Sequence, residues 1–226
     1  MADEIVTNEL RSGVAILRLD DGKANALSVA MQSQIHAGLD LAEKQAQSLV
    51  IAGRPGRFSG GFDLSVMAAG DSSAVRAMVK GGAELALRLY EFPIPVVVAC
   101  TGHAIAMGSV LLLAADTRIG IEGDFKLGLN EVAIRMTLPM FAVEFARDRL
   151  SRRHLQRALN LAEIYSPREA VDAGYLDRVV APEALLDEAI AEAKRYEPLD
   201  LHAHHGTKRN LRGATIERIR ASLDAL

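Results

Sequence analysis

The first part of the chain alternates between strand-like and helix-like spacing of its apolar residues. Residues 5–10 and 14–19 carry β-branched and apolar side chains on either side of 12–13, a Ser-Gly pair, which predicts a β-hairpin. From Ser28, a candidate N-cap, apolar residues recur at helical spacing, and a short apolar strand follows over 49–52. Alternating strands and helices of this kind predict an α/β fold.

A second set of elements follows the same order. Pro93 and Pro95 end a predicted helix, and the apolar run 96–100 then has the composition of a strand buried on both faces. We predict a buried helix over 110–115 and a further short strand over 117–121. The strand and helix pattern therefore extends well beyond the middle of the chain.

The remainder of the chain has mainly helical periodicity. Ser166 is a candidate N-cap, with a proline after it, and Gly174 is a candidate helix stop. Neither an internal repeat nor a low-complexity linker interrupts the sequence. We therefore expect one continuous domain, with a strand-and-helix core over 1–135 and a helical region over 136–226.

Composition excludes several classes of function. Half of the 226 residues are hydrophobic (50%) and 24% are charged, which excludes a disordered chain. The 26 basic and 29 acidic residues give a net charge of −3, so we expect no nucleic-acid partner. The longest apolar runs are far shorter than the roughly 18 residues that a spanning helix needs. We therefore expect no membrane insertion.

The cysteine content and the N-terminus suggest where the protein acts. Cys100 is the one cysteine in the sequence, so it has no partner for an internal disulfide. Residues 1–4 lack the basic and apolar regions of a signal peptide. We predict a reducing, cytoplasmic location.

The sharp short motifs of enzyme chemistry are absent from the sequence. None of the dinucleotide-binding, P-loop, nucleophile-elbow or zinc-protease patterns occurs. His202, His204 and His205 form a cluster in the tail, but no acidic or thiol partner is adjacent to them. We interpret them as a solvated helix face and predict no metal site.

Two glycine-containing turns, at 58–64 and 102–108, each separate a predicted strand from a predicted helix. The first turns of helices expose unpaired N–H groups and a partial positive charge, which suit a negatively charged oxygen. Two such turns that face one oxygen would form an oxyanion hole, worth about 3–4 kcal/mol per donor. The glycines are equally consistent with two ordinary tight turns, and spacing alone leaves both interpretations open.

A third stretch, 127–132, places Glu131 among apolar neighbours after a buried strand. Burial would remove water from such a carboxylate and raise its pKa, which suits proton exchange with carbon. The alternative is an ordinary surface acid, or an acid that neutralises a helix N-terminus.

Taken together and in this order, five segments of the chain resemble the crotonase, or enoyl-CoA hydratase/isomerase, superfamily. The segments are 21–28 with an Asn-Ala-Leu turn, 58–67, 101–116, 128–131 with Gly-Leu-Asn-Glu, and 164–180. The resemblance implies a crotonase-like spiral of β-β-α turns with a helical C-terminal trimerisation region. It also implies a homotrimer, or a hexamer of stacked trimers, that acts on acyl-CoA thioesters in fatty acid metabolism.

The resemblance also implies how the thioester would be held. Carried over by position, the oxyanion donors are the N–H groups of Phe62, after Gly60 and Gly61, and of Met107, before Gly108. The family usually has glycine where Met107 stands, so either Met107 has an ordinary negative φ or the second donor is displaced. Coenzyme A is part of the substrate, and no separate cofactor is implied.

The second departure from the family concerns the type of reaction. Hydratases of the family use two glutamates; one corresponds to Glu131, but Val110 occupies the position of the other. We therefore favour isomerisation of 3-enoyl-CoA to 2-enoyl-CoA, with Glu131 as the single acid and base. Hydration remains an alternative if Glu122, Asp124 or Glu144, which we interpret as surface charges, supplies the missing acid. A non-catalytic acyl-CoA-binding protein is the third possibility.

Other residues have supporting roles in this hypothesis. Asp63 is predicted to cap the helix after Phe62. Lys208 and Arg209 either meet the phosphates of coenzyme A or serve solubility, and the same alternative holds for Lys23. Pro139 is a further candidate for the lining of the acyl channel. The expected substrate-binding residues are Lys23, Gly60, Gly61, Leu64, Met67, Gly108, Val110, Met136 and Leu138.

Overall fold

A computed structural model describes residues 4–224 and 226, which form nine strands and nine α-helices. The strands are β1 (Val6–Arg11), β2 (Val14–Leu19), β3 (Ser48–Ala52), β4 (Gly56–Ser59), β5 (Val96–Cys100), β6 (Gly102–Ile105), β7 (Thr117–Ile121), β8 (Leu127–Gly128) and β9 (Arg178–Val180). The helices are α1 (Val29–Gln45), α2 (Leu64–Ala68), α3 (Ser72–Tyr90), α4 (Met107–Ala114), α5 (Met140–Arg149), α6 (Arg152–Asn160), α7 (Pro167–Ala173), α8 (Leu185–Lys194) and α9 (Leu201–Leu223). Residues 1–3, on which most of the signal-peptide prediction rests, lie outside this description.

Two sheets organise the fold. The larger has six strands in the order β1-β2-β3-β5-β7-β9, and all its pairs are parallel except the β1–β2 hairpin. Strands β3 and β5 are buried along their whole length because helices cover both faces. The smaller sheet contains β4, β6 and β8, all parallel. The predicted α/β class is confirmed.

Several predicted boundaries agree with the structure. The hairpin turns at 12–13, and the Ser28 side chain accepts a hydrogen bond from the N–H of Met31 at the start of α1. Helix α3 ends at Tyr90, shortly before Pro93. These signals are local, so they can be interpreted without knowledge of the tertiary structure.

The smaller sheet corrects the interpretation of both glycine turns. The first turn follows β4 directly, not β3, and the segment 102–105 forms strand β6 inside the second turn. Each of these strands has only four residues, too few for a period-2 pattern to stand out. Their parallel pairing brings the two turns to the same edge of one sheet.

The C-terminal part of the chain is joined to the large sheet. Strand β9 pairs with β7, so this part contributes an edge strand as well as helices. The division of the domain at residue 135 stays a prediction. Among residues 4–224 and 226, no helix combines the length and apolar character needed to cross a bilayer.

A buried ion cluster fastens α9 to the rest of the molecule. Lys208 donates from Nζ to Oδ2 of Asp116 at 2.7 Å, and Arg212 donates to Oδ1 at 2.8 Å. Burial alone would raise the pKa of Asp116, but the two cations outweigh it and hold this pKa below its ordinary value. Lys208 also donates to the carbonyl of Phe92 at 2.8 Å and is only 5% exposed. The suggestion that Lys208 meets coenzyme A phosphates is therefore wrong.

Glu144 corrects a second sequence interpretation. We expected a surface charge, but this residue is 2% exposed, on α5. Arg218 of α9 donates to it from Nε at 2.6 Å, and Arg147 pairs with its other oxygen. Glu144 thus links α5 to α9.

Replacement of Asp116 by asparagine should destabilise the protein. The change D116N leaves Lys208 and Arg212 buried without their counter-charge, so we expect the free energy of unfolding to fall by about 3 kcal/mol. Urea denaturation followed by circular dichroism measures it. The control E122Q breaks an exposed pair with Arg168 and should cost at most about 1 kcal/mol. Equal effects of the two variants would contradict this account of α9.

Candidate active site

A buried asparagine shapes the first glycine turn. Asn25 is fully buried, and its Nδ2 donates to the carbonyl of Leu19 at 2.8 Å and to that of Phe58 at 3.2 Å. Ser59 donates from Oγ to the carbonyl of Asn25 at 2.8 Å, and its Oγ accepts from the N–H of Gly61 at 3.2 Å. These bonds fix the backbone immediately before Phe62.

Helix α2 begins just after Phe62. Asp63 caps it, as predicted, because its Oδ1 accepts from the N–H of Ser65 at 2.9 Å. The hydrogen bonds from Ser65 are also the main reason why the pKa of Asp63 lies below its ordinary value, and the charge of Lys23 adds to the effect. The ring of Phe62 packs against Gly82 of α3, where any Cβ would stand 2.4 Å from it. The backbone of Phe62 therefore lies between two fixed segments, the first glycine turn and the capped start of α2.

The second glycine turn has its strained residue one position earlier than expected. Ala106 has φ 52° and ψ −124°, a conformation that L-residues rarely adopt, and its N–H donates to the carbonyl of Gly128 at 2.9 Å. Met107 is the first residue of α4 and is absent from the positive-φ positions of the described chain. The side chain at Met107 therefore does not prevent its N–H from pointing out of the helix start.

The two turns lie against each other because Gly61 has no side chain. A Cβ on Gly61, where φ is +91°, would stand 3.0 Å from Cβ of Ala106 and 3.3 Å from the backbone N of Met107. A Cβ on Gly108 would stand 2.4 Å from the carbonyl oxygen of Ser59. A Cβ on Gly108 would therefore block this approach, whereas a Cβ on Gly61 would displace the neighbouring turn slightly.

Phe62 and Met107 each directly follow a residue of this contact, Gly61 and Ala106. Within residues 4–224 and 226, neither of them donates a hydrogen bond to another backbone or side-chain group. Met107 is the first residue of α4, and Phe62 directly precedes Asp63, the N-cap of α2. Two unpaired donors in such positions suit a negatively charged oxygen. The geometry therefore fits the oxyanion hole better than it fits two unrelated tight turns.

Ser109 joins the second turn to the segment that carries Glu131, a role that sequence analysis missed. It is fully buried in α4, and its Oγ lies 2.7 Å from the carbonyl of Ala104 and 3.1 Å from that of Gly128. The same Oγ accepts from the N–H of Gly128 at 3.0 Å. The one feature of the sequence that could have indicated this role is a serine inside an otherwise apolar helix, since a buried hydroxyl needs a hydrogen-bond partner.

Glu131 has the properties expected of a carbon base. It follows β8, is 9% exposed, and its Oε2 is buried without a hydrogen-bond partner among the described residues. Burial raises the pKa of Glu131, and only its own N–H acts against that rise. The carboxyl of Glu131 is thus desolvated and is not neutralised by a cation.

The predicted acyl-channel residues divide into two groups. Met136 and Leu138 line a cavity of about 690 Å³. Val132, which follows Glu131 in the sequence, lines the same cavity. Met67 lines a separate cavity of about 420 Å³ beside α3, and Leu64 is 69% exposed on α2. The structure therefore does not gather these residues around one channel.

Lys23, Arg209 and the tail histidines do not converge on one site. Lys23 is exposed near the first turn, and its carbonyl accepts from Arg54 at 2.8 Å, whereas Arg209 is exposed on α9. His204 is only partly exposed, with a buried Nε2, so it does not belong to a fully solvated face. The part of the chain that the structure describes contains no group of three metal-binding side chains.

Comparisons with known proteins give the same family as the motifs. The sequence model of the enoyl-CoA hydratase/isomerase family matches residues 9–215. Human mitochondrial enoyl-CoA delta isomerase 1 is 28% identical over 98% of this chain and 74% of its own length. A probable enoyl-CoA hydratase of Bacillus subtilis is 34% identical over 80% of this chain and 70% of its own.

Solved structures share the whole fold. The crystal structure of a probable enoyl-CoA hydratase from Mycobacterium tuberculosis superposes with a TM-score of 0.95 and 40% identity, covering 97% of this chain and 93% of that one. The match in sequence and in fold confirms the resemblance. The chain belongs to the enoyl-CoA hydratase/isomerase family, within the crotonase superfamily.

Proposed function

We propose that the protein isomerises 3-enoyl-CoA to 2-enoyl-CoA, with Glu131 as the only acid and base. The carboxylate of Glu131 removes a proton from C2, and the electron pair of that C–H bond moves into a dienolate on the thioester oxygen. The protonated Glu131 then delivers the proton to C4, and the double bond moves to C2–C3. Atoms and charge balance without any other reactant, so the reaction needs no cofactor besides the coenzyme A of the substrate.

The observation that carries this proposal is the buried, unpaired carboxyl of Glu131, together with valine at the position where the family resemblance places the second glutamate of hydratases. Val110 is 1% exposed in α4 and cannot orient or deprotonate water. Of the acids considered as substitutes, Glu144 is ion-paired by two arginines, Glu122 pairs with Arg168 at 2.6 Å, and Asp124 is exposed. One acid is enough for a proton shuttle, whereas concerted hydration uses two.

The paired turns supply the second requirement of the proposed reaction. Removal of a C2 proton places negative charge on the thioester oxygen, and the N–H groups of Phe62 and Met107 would stabilise it. These donors need no reorganisation because Gly61 and Gly108 already allow the two turns to touch. The remaining substrate-binding assignments, including Lys23 for coenzyme A, are part of this proposal.

Hydration is the competing activity, since relatives with both names match the chain. A purely binding role is supported less well, because a desolvated and unpaired carboxyl destabilises a protein that has no use for it. Assays of the native protein on a 3-enoyl-CoA and on crotonyl-CoA separate the three possibilities.

The cytoplasmic location stays part of the proposal. It rests on the single cysteine, and Cys100 is buried, with its pKa raised to about 12 by burial. The human relative is mitochondrial by name. Fractionation of the source cells tests the cytoplasmic location. Recovery of the protein in an organelle or membrane fraction would contradict it.

Replacement of Glu131 by glutamine should abolish isomerisation. We expect E131Q to lower kcat on a 3-enoyl-CoA by about 1,000-fold or more, because the variant cannot take the C2 proton. Formation of the conjugated thioester is followed by its ultraviolet absorbance, with E122Q as an exposed control. Undiminished turnover by E131Q contradicts the proposal, and rapid loss of absorbance with crotonyl-CoA and the native protein favours hydration. Tight binding without any turnover favours the third possibility.

Replacement of Gly61 by alanine should separate the two donors. The new methyl group meets Ala106 and the N of Met107, so we expect G61A to lower kcat/KM about 100-fold. Gly70 is a matched control: its φ is +75°, but nothing lies within 4 Å of its Cβ position. G70A therefore introduces similar backbone strain without the contact. Equal kinetic losses in both variants would show that the contact between the turns does not matter.

The expected homotrimer, or hexamer, is also part of the proposal. Leu161 and Leu211, in the C-terminal part of the chain, are 70% and 79% exposed, and assembly would cover such apolar surface. Light scattering coupled to size exclusion should give three or six times the mass of the chain. A monomer at micromolar concentration would contradict this expectation.

A further inference from the structure

Three arginines line the cavity of about 690 Å³ that Met136 also lines, and this volume is typical of small-molecule sites. Arg135 comes from the turn that follows Glu131, Arg147 from α5 and Arg152 from α6. None of the described residues that line the cavity is acidic, although the chain as a whole has a net charge of −3. The cavity is therefore a local concentration of positive charge.

The positive charge around this cavity is mostly not neutralised. Arg147 pairs with Glu144, but Arg218 shares that carboxylate, so two cations have one anion between them. Arg135 and Arg152 are exposed, and their side chains form no hydrogen bond or ion pair with any of the described residues. An anion in the cavity would be attracted by all three arginines that line it.

The backbone at Arg135 has a conformation that favours a residue other than arginine. Its φ is 65° and its ψ is 31°, at the end of the short 3₁₀ turn Val132–Ile134. Glycine and asparagine adopt this left-handed conformation at a lower cost. The N–H of Arg135 donates to the carbonyl of Val132 at 3.1 Å, a bond that any residue except proline could form. The turn therefore does not require an arginine, and the contribution specific to this side chain is its charge at the cavity.

Arg152 also stands in an unfavourable position. It is the first residue of α6, and the first turn of this helix contains no acidic residue. The N-terminus of a helix carries a partial positive charge, which repels a cation and attracts an anion. Arg135 and Arg152 thus each have a local cost, and both line the same cavity.

This cavity adjoins the residue that we propose as the base. Met136 lines the cavity, and its N–H donates to the carbonyl of Glu131 at 2.9 Å. Val132, the next residue after Glu131, lines it as well, and Leu155 and Leu159 add apolar surface. An acyl chain that passes Glu131 can therefore continue into a cavity that combines apolar walls with positive charge.

We propose that this cavity binds a carboxylate at the far end of the acyl chain, so that the preferred substrates are monothioesters of dicarboxylic acids. This inference rests on the proposed function of Glu131 as the base. The planar guanidinium groups of Arg135 and Arg152 can each donate two parallel hydrogen bonds to a carboxylate. An acyl chain that ends in a methyl group leaves both arginines without a counter-charge.

Binding of unreactive analogues tests the cavity without turnover. Saturated acyl-CoAs of six, eight and ten carbons, each ending either in a methyl group or in a carboxylate, are compared by isothermal titration calorimetry. We expect the carboxylate member of at least one pair to bind about tenfold or more tightly, because only this member pairs with the arginines. Equal Kd values in every pair overturn the proposal.

Variants of the two unpaired arginines identify the residues responsible. R135G and R152M should each remove most of the preference for the carboxylate, whereas R153M should keep it. Arg153 is the matched control because it is exposed on α6, next to Arg152, but does not line the cavity. R135G also relieves the positive φ, so its Tm should not fall, and a lost preference in this variant does not reflect poor folding. A preference that survives in R135G and R152M, or an equal loss in R153M, overturns the role of these arginines.

Kinetics separates this inference from the proposed function. The ratio of kcat/KM for a 3-enoyl-CoA with a terminal carboxylate to that for its methyl-ended counterpart should follow the ratio of the binding constants. A binding preference without isomerisation supports the role of the cavity and overturns the proposed function. Isomerisation without a preference overturns the role of the cavity alone. Loss of assembly in R135G and R152M, with no preference in the native protein, would assign the cavity to a second copy of the chain and also overturns the proposal.

Discussion

The close contact between two backbone turns is the constraint on which the site depends. Gly61 and Gly108 leave no side-chain atoms between the turns, and Ala106 takes up the positive φ that the contact requires. Phe62 and Met107, whose N–H groups are the proposed donors, directly follow the touching residues Gly61 and Ala106. The thioester oxygen would then enter a site whose donors are already oriented, which is the condition for strong stabilisation of developing charge.

Glu131, the proposed base, depends on the same scaffold through different contacts. The fully buried hydroxyl of Ser109, in the helix that follows the second turn, forms hydrogen bonds with the backbone of Gly128. These bonds fix the segment that carries Glu131 relative to the second turn. Burial raises the pKa of Glu131, which makes the carboxylate a stronger base toward a carbon acid.

The sequence predicted the parts of the site that depend on local signals. The glycine turns, the cap at Asp63 and the acid at Glu131 are each defined by neighbours within a few residues. The family resemblance then ordered these pieces into one fold. The type and order of the longer strands and helices could be predicted for the same reason.

What could not be predicted depends on contacts between distant parts of the chain. Lys208 and Glu144 have the composition of surface charges, but their partners Asp116 and Arg218 lie 92 and 74 residues away. Ser109 was missed for the same reason, because only the folded chain places its hydroxyl against the backbone of Gly128. Charge and polarity are visible in a sequence, whereas the partner that justifies burial is not.

The central claim is that one carboxyl moves a hydrogen from C2 to C4. A single-turnover reaction with 3-enoyl-CoA that carries deuterium on C2 tests it most directly, with the product analysed by NMR. The account predicts deuterium at C4 of the 2-enoyl product, since Glu131 returns the label before water exchanges it. A 3-hydroxyacyl product, or a C4 hydrogen derived entirely from solvent, would contradict it.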